Sequence, residues 1–302
     1  MSNLFITGST GFIGRRLIQR LDPARYERIY CLRRSGPSVS PTGRGNLQYI
    51  EGNITDADSY APYLASSETV VHLAAATGKA RPEEYFGVNA RGTELLVERC
   101  EQAGVKNFLY VSTIAVKYRD KSMYYYAQSK ELGEQAVKKS RLNYAIVRPT
   151  IVIGKEAVIW KTLSSLASKP VLLMLGDGTT RIQPIYVEDL VDCLLTLLSE
   201  NQFRNETYEL GGPEEITFEH LLKRIHSLYY GKEPFVLHVP LKPLVRMLSL
   251  VEKRFYSSLP VSAGQLSAFG NDGTIETNRI FALSASHMKN VSDMLKQVMS
   301  NE

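Results

Sequence analysis

Short apolar runs alternate with amphipathic stretches along the first half of the chain. Residues 4–7 predict a strand, followed by a glycine-rich turn and an amphipathic helix to about residue 21. Further apolar runs predict strands at 29–32, 47–51 and 69–74. A helical pattern covers about 82–104, where Gly104 supplies a stop signal. A fifth strand is expected at 107–112, a helix at about 124–139, and a sixth strand at 144–148, ended by Pro149. Strands that alternate with helices in this way build a parallel sheet covered on both faces. The near-continuous apolar run 69–74 suits a strand buried on both sides.

After Pro149 the rhythm loosens, and glycine turns appear at Gly176-Asp177-Gly178 and Gly211-Gly212-Pro213. The expected architecture is α/β: a doubly wound parallel sheet with a smaller, interwoven C-terminal substrate lobe. Residues 1–150 form the nucleotide-binding part, joined by strand and helix returns from about 180–212, and residues 151–302 form the lobe. No internal repeat or low-complexity tract is present.

A chain of 302 residues can bury a large core without staples. The net charge of +5 suits a phosphorylated cofactor or an anionic substrate. It does not point to nucleic acid, because the basic residues are dispersed and no aromatic residues interleave with them. Cys31, Cys100 and Cys193 have neither metal-site nor disulfide-framework spacing. The first residues lack the charged and apolar regions of a signal peptide, and no apolar run reaches the roughly 18 residues of a membrane span. The expectation is therefore a cytoplasmic protein with no metal and no integral membrane segment. Residues 241–255 mix Leu, Val and Met with Lys and Arg. They read either as a helix on a membrane surface or, more plainly, as one packed on the substrate lobe.

The first candidate site is Gly8-Ser9-Thr10-Gly11-Phe12-Ile13-Gly14, between the first strand and its helix. Glycines at this spacing let backbone N–H groups approach a pyrophosphate, and the helix N-terminus adds a favourable dipole. The strand–turn–helix context at the start of the chain is that of a Rossmann dinucleotide site. The second strand leads into Arg33-Arg34 rather than the acidic residue that would bind the ribose hydroxyls of NAD. A guanidinium grips a 2′-phosphate, so NADP(H) is expected over NAD(H).

The second candidate is Tyr126 with Lys130. Of the seventeen tyrosines, only Tyr126 is followed by lysine four residues on. Such a pair shares a helix face. A protonated lysine favours the phenolate and lowers the tyrosine pKa. A tyrosine so tuned can exchange a proton with a carbonyl or an alcohol. Chance alone supplies about one such match, so placement matters: Ser112-Thr113 ends the fifth strand, where open parallel sheets bind ligands. Arg181 can meet an anionic substrate or simply carry surface charge, and His72 reads as a core histidine. Trp160 and residues 171–175 can line an apolar pocket or belong to the core.

Together these residues resemble the extended short-chain dehydrogenase/reductase family, which contains the NAD-dependent epimerases and dehydratases. The resemblance rests on the glycine turn, His72-Leu73-Ala74-Ala75, Asn89 in Val88-Asn89-Ala90-Arg91-Gly92-Thr93, and Val111-Ser112-Thr113. It continues through Tyr126 to Lys130, Arg148-Pro149, Val187-Glu188-Asp189 and Tyr208-Glu209-Leu210-Gly211-Gly212, over about 215 residues. It implies that Tyr126 donates the proton, that Lys130 also holds the nicotinamide ribose, and that Thr113, beside Ser112, orients the substrate. It implies that Asn53 and Ile54 lie at the adenine, Leu73, Ala74, Ala75 and Asn89 at the cofactor cleft, and Pro149 near the nicotinamide. Arg33 matches the arginine of NADP-preferring members.

The chain departs from the family pattern in three places. The insertion between the Ser/Thr and the tyrosine is missing. The Asp-Glu pair of the sugar dehydratases is replaced by Ile114-Ala115. Arg33 stands where epimerases carry an acid. The resulting expectation is an NADP(H)-dependent oxidoreductase acting on a small carbonyl or alcohol. Alternatives are a sugar-nucleotide epimerase with tightly held NAD and a non-catalytic dinucleotide-binding subunit or sensor. Relatives that pair through a helix bundle make a homodimer one expectation.

Overall fold

The computed structural model describes residues 2–34, 45–200, 202–259 and 261–300. Seven strands form the main sheet: β1 (Ser2–Thr7), β2 (Tyr26–Arg33), β3 (Leu47–Glu51), β4 (Ser67–His72), β5 (Asn107–Val111), β6 (Asn143–Pro149) and β7 (Glu206–Leu210). Their spatial order is β7-β6-β5-β4-β1-β2-β3. The pairs β1–β2, β1–β4, β2–β3, β4–β5 and β5–β6 are all parallel. The order reverses at β1 and β4, which creates the switch point where doubly wound sheets bind nucleotides.

Burial on both faces follows from the sequence of the inner strands. Leu4, Phe5 and Ile6 of β1, and Val70 and Val71 of β4, are wholly buried. One core layer gathers Phe5, Val70 and Phe108 from the strands with Leu96, Cys100 and Val137 from helices. The helix Phe12–Arg20 starts at Gly11 and turns Gly14, Leu17 and Ile18 inward, the spacing of one helix face. All three cysteines are buried, and none is in a disulfide.

Two expected elements differ in detail. The run 69–74 is a strand only to His72; beyond it the chain peels away, although Leu73 N–H still donates to the Thr7 carbonyl at 3.2 Å. The expected single helix 82–104 is three pieces: an α-turn Pro82–Tyr85, a π-helical stretch Phe86–Gly92, and the α-helix Thr93–Ala103. The wider stretch carries Asn89, whose amide reaches outside the helix (below). At Gly92 a Cβ would press on Ile54 at 3.1 Å, so a bulkier residue would push the segment off its neighbour. Gly104 ends the helix in the left-handed conformation, at φ 75°.

The chain divides into two compact units. The first holds residues 1–112, 129–148 and 191–208, and the second holds 113–128, 149–190 and 209–302. Residues 113–128, expected with the nucleotide-binding part, thus cluster with the second unit. The helix Tyr125–Lys139 gives its first turn to the second unit and the rest to the first.

In the second unit, Trp160 on the helix Val158–Ala167 is 1% exposed, so of its two readings the core one holds. The strands Val171–Leu175 and Phe235–Val239 pair in parallel as a separate ribbon. Residues 241–255 form one helix, Leu241–Phe255. No helix among the described residues is long and apolar enough to cross a membrane.

Candidate active site

The glycine turn sits at the carboxyl end of β1 and is shaped by its own close contacts. Gly8 has φ +70°, and a Cβ there would lie 2.6 Å from the Ala74 nitrogen. A Cβ on Gly14 would collide with the Gly8 carbonyl oxygen. These two glycines are needed for the turn to close. Gly11 differs: it is exposed, and a Cβ there would meet only the Gly8 carbonyl, at 3.2 Å. The space beside it is open to a ligand.

Gly11 is also the N-cap of the helix Phe12–Arg20, which has no side-chain cap and no acidic residue in its first turn. The helix dipole favours an anion at this end. Thr10 is exposed, while Phe12 and Ile13 are half-buried. The segment Leu73-Ala74-Ala75 runs beside the turn, tied by a bond from Ala74 N–H to Thr7 Oγ1 at 3.2 Å. The turn and this segment thus flank the switch point between β1 and β4, and the residues present fit a dinucleotide diphosphate.

Arg33 ends β2, with its side chain 17% exposed and a guanidinium nitrogen 3.9 Å from Glu51 on β3. Arg34 is exposed. Ser35 and the residues to 44 lie outside the described residues. After β3, Asn53 is exposed, and its side-chain oxygen accepts from Thr55 N–H at 3.2 Å. Ile54 beside it is buried.

Two expected cofactor contacts have other tasks. The Ser9 side chain is 1% exposed and donates to the Leu32 carbonyl at 3.2 Å, bracing the turn against β2. Asn89 is wholly buried. Its amide nitrogen donates to the Ala76 carbonyl and to Ser129 Oγ, both at 3.0 Å, and its oxygen accepts from Ala76 N–H at 2.7 Å. Both side chains are directed into the protein. Asn89 clamps the loop after β4 to the helix Tyr125–Lys139.

That helix lies close against the sheet because a Cβ on Gly133 would collide with the Tyr110 hydroxyl and the Asn89 carbonyl. Lys130 is consequently buried, at 1% exposure. Its ammonium donates to the Val111 carbonyl at 2.8 Å and lies 4.2 Å from the centre of the Tyr110 ring. Burial pushes its pKa down to about 7, against the opposing pull of the Glu134 carboxylate. Desolvation of the ammonium outweighs the attraction of the nearby carboxylate.

Glu134, one turn beyond Lys130, was not singled out from the sequence. It is 2% exposed and is gripped by Arg148 of β6, Nε to Oε1 at 2.8 Å and Nη2 to Oε2 at 2.6 Å. Lys138 adds a contact at 3.1 Å. Burial works against the ionised form, but Arg148, with Ser112 and Lys138, holds the carboxyl below its ordinary range. The four-residue spacing from Lys130 was a signal that could have found it. His72 is also wholly buried, between Thr7 Oγ1 at 2.6 Å and Thr93 Oγ1 at 2.9 Å. Burial, then the charge of Lys130, keeps its pKa well below normal, as suits a core histidine.

In the second unit, Thr113 is half-buried and caps the short helix Ile114–Lys117, accepting from Ala115 N–H at 3.3 Å. Tyr126 is half-buried, and its ring lies 5.7 Å from that of Tyr124, which stacks on Tyr118 at 6.4 Å. Tyr124 thus packs, while Tyr125 is 42% exposed. Pro149, at the end of β6, is buried. Arg181 is engaged with Asp272 at 3.1 Å and Glu215 at 3.2 Å, and Gln183 donates to the Gly212 carbonyl. Among the described residues no group of His, Cys, Asp and Glu could hold a metal ion.

This nucleotide cradle, at the switch point of a parallel sheet, defines a dinucleotide-binding protein of the doubly wound class. Residues 4–211 match the model of the NAD dependent epimerase/dehydratase family, and the chain belongs to that family. It is of the extended short-chain dehydrogenase/reductase type, whose chemistry depends on NAD(P).

The chain is 26% identical over 290 residues to the mitochondrial NADH dehydrogenase [ubiquinone] 1 alpha subcomplex subunit 9 of Arabidopsis thaliana, covering 91% of this chain and 71% of that protein. It is 32% identical over 186 residues to a ceramide reductase of Caulobacter vibrioides, covering 61% of this chain and 57% of the relative. A nucleoside-diphosphate-sugar epimerase from Staphylococcus aureus has the same fold, with a TM-score of 0.77 at 17% identity over 97% of this chain and 99% of that one.

Proposed function

We propose that the chain is an NADP(H)-dependent reductase of a ketone or aldehyde, equally able to oxidise the corresponding alcohol. The observation that carries this reading is the helix Tyr125–Lys139. It holds a tyrosine one turn before a buried lysine whose amine is tethered to the end of β5. The uncapped turn Gly8–Gly14, with Leu73, Ala74 and Ala75, would hold the diphosphate. Arg33 and Arg34 would take the 2′-phosphate, and Asn53 and Ile54 would meet the adenine. Lys130 would reach the ribose, and Pro149 would sit near the nicotinamide. Bound NADPH would supply a hydride.

The chain's own groups would do the rest. Tyr126 gives its phenolic proton to the carbonyl oxygen, Thr113 orients that oxygen, and Ser112 supports its neighbour. A Lys130 amine poised near neutrality gains charge beside a bound anion and then favours the phenolate. The buried apolar pair Ile114 and Ala115 offers no acid or base for dehydration. Similarity to a ceramide reductase supports the reductive reading over an epimerase.

A second reading, a dinucleotide-binding subunit without turnover, is favoured by the likeness over 91% of the chain to a subunit of a mitochondrial NADH dehydrogenase. The test is NADPH oxidation across a panel of ketones and aldehydes, with nucleotide affinity measured in parallel. Tyr126→Phe should lower turnover by about 10²–10⁴-fold and leave nucleotide affinity unchanged. Arg33→Ala should weaken NADPH binding by about 10–100-fold and spare NADH, since a charge-assisted bond contributes about 1.5–3 kcal/mol. Absence of NADPH binding sinks the whole reading. Binding without turnover that Tyr126→Phe alters establishes the subunit.

A further inference from the structure

The helix Leu241–Phe255 has an inner face that is accounted for and an outer face that is not. Val245 and Leu248 are buried in a small cluster with Ala263 and Leu266. On the same helix, Met247, Leu250, Val251 and Phe255 are 57%, 67%, 38% and 55% exposed. Their spacing of three, four and eight residues lines them along one stripe.

Lys242, Arg246 and Arg254 of this helix are exposed as well. The helix has one acidic residue, Glu252, and it is not on that face: its carboxylate accepts from Ala263 N–H at 2.6 Å. The outward surface is therefore apolar and purely cationic.

The preceding ribbon repeats the apolar feature. Phe235 pairs with Val171 and Leu237 with Leu173, and these four are 70%, 39%, 50% and 54% exposed. Leu172 and Met174, between them, are buried, so one ribbon face is turned out. Leu175, at the ribbon's end, packs in the same cluster as Leu241 and Leu244 of the helix. Eight of the fourteen large apolar side chains exposed among the described residues lie on these two adjoining elements. A concentration of this kind marks an interaction site rather than ordinary surface.

We infer that this surface docks on an anionic lipid bilayer, with the helix lying in the interface plane. Its combination of an apolar stripe and cations fits a membrane surface bearing negative headgroups. A second copy of this chain fits poorly, because pairing the face with itself would oppose like charges with no acid to answer them.

The test is flotation of the full chain with phosphatidylcholine vesicles, alone and doped with phosphatidylglycerol. Binding should require the anionic lipid and fall as salt screens the cations. A cation near such a surface contributes about five-fold in affinity, so the triple change Lys242→Gln, Arg246→Gln, Arg254→Gln should lose about 100-fold. Leu250→Glu, a change at an exposed position, should abolish binding with an unaltered circular dichroism spectrum. The inference is overturned if doped vesicles do not bind, if Leu250→Glu binds as well as the parent, or if sedimentation shows a dimer that Leu250→Glu dissociates.

Discussion

Replacing Glu134 by leucine removes one member of a nearly buried ion pair and leaves the other. Arg148 then loses the Glu134 carboxylate, although its side chain is only 16% exposed. Breaking a buried pair in this way costs about 3–5 kcal/mol. Water reaching the exposed part of Arg148 places the expected loss at the lower end, about 3 kcal/mol. Replacing both members, Glu134→Leu with Arg148→Met, removes the stranded charge and should recover most of that loss, because paired apolar replacements are often close to neutral.

The assay is urea unfolding of the parent, the two single variants and the double variant, from which a coupling energy follows. A coupling of at least about 1.5 kcal/mol is expected. Strictly additive losses would refute the idea that the two side chains act as one unit. The pH dependence supplies an independent check. The Glu134 carboxyl titrates below its ordinary value in the fold, so its contribution is present above the unfolded pKa and lost as pH falls through the folded one. Glu134→Gln should accordingly flatten the acid limb of the stability curve.

Lys130 makes the opposite end of the pH range informative. Its pKa is about 7 in the fold against 10.5 when free, so between these values the unfolded chain holds the extra proton and stability rises with pH. Lys130→Met should remove up to about 1.4 kcal/mol of that rise per pH unit, read as urea midpoints at several pH values; parallel curves would contradict the buried amine. Gly8→Ala forces a Cβ into a position with φ +70° and 2.6 Å from Ala74 N, so it should cost about 1–3 kcal/mol and weaken nucleotide binding together. Gly11→Ala should keep stability near the parent's while still impairing nucleotide binding, and equal thermal losses in the two variants would disprove the contrast.

Much of the fold was legible from the chain because its signals are local. The apolar run through Leu4, Phe5 and Ile6, the glycine turn behind it and the stop at Gly104 each depend on residues a few positions apart. The spacing of Tyr126 and Lys130 is likewise a property of any helix, whatever surrounds it. What the second lobe's residues do was harder to read. Residues 171–175 alternate between buried and exposed in a ribbon paired with a strand about 60 residues later, and periodicity cannot name such a partner.

The amino-acid order by itself determined the glycine turn, the helix that carries Tyr126 and Lys130, and the family to which the chain belongs. Only tertiary structure decided which way polar side chains turn and how strongly they titrate. Asn89 closes on Ala76 and Ser129, Ser9 on Leu32, and Arg181 on Asp272, 91 residues away. The Lys130 pKa falls because burial shuts water out around its amine. Hydrogen bonding and desolvation depend on which groups meet in space, and that is set by the packing of distant segments.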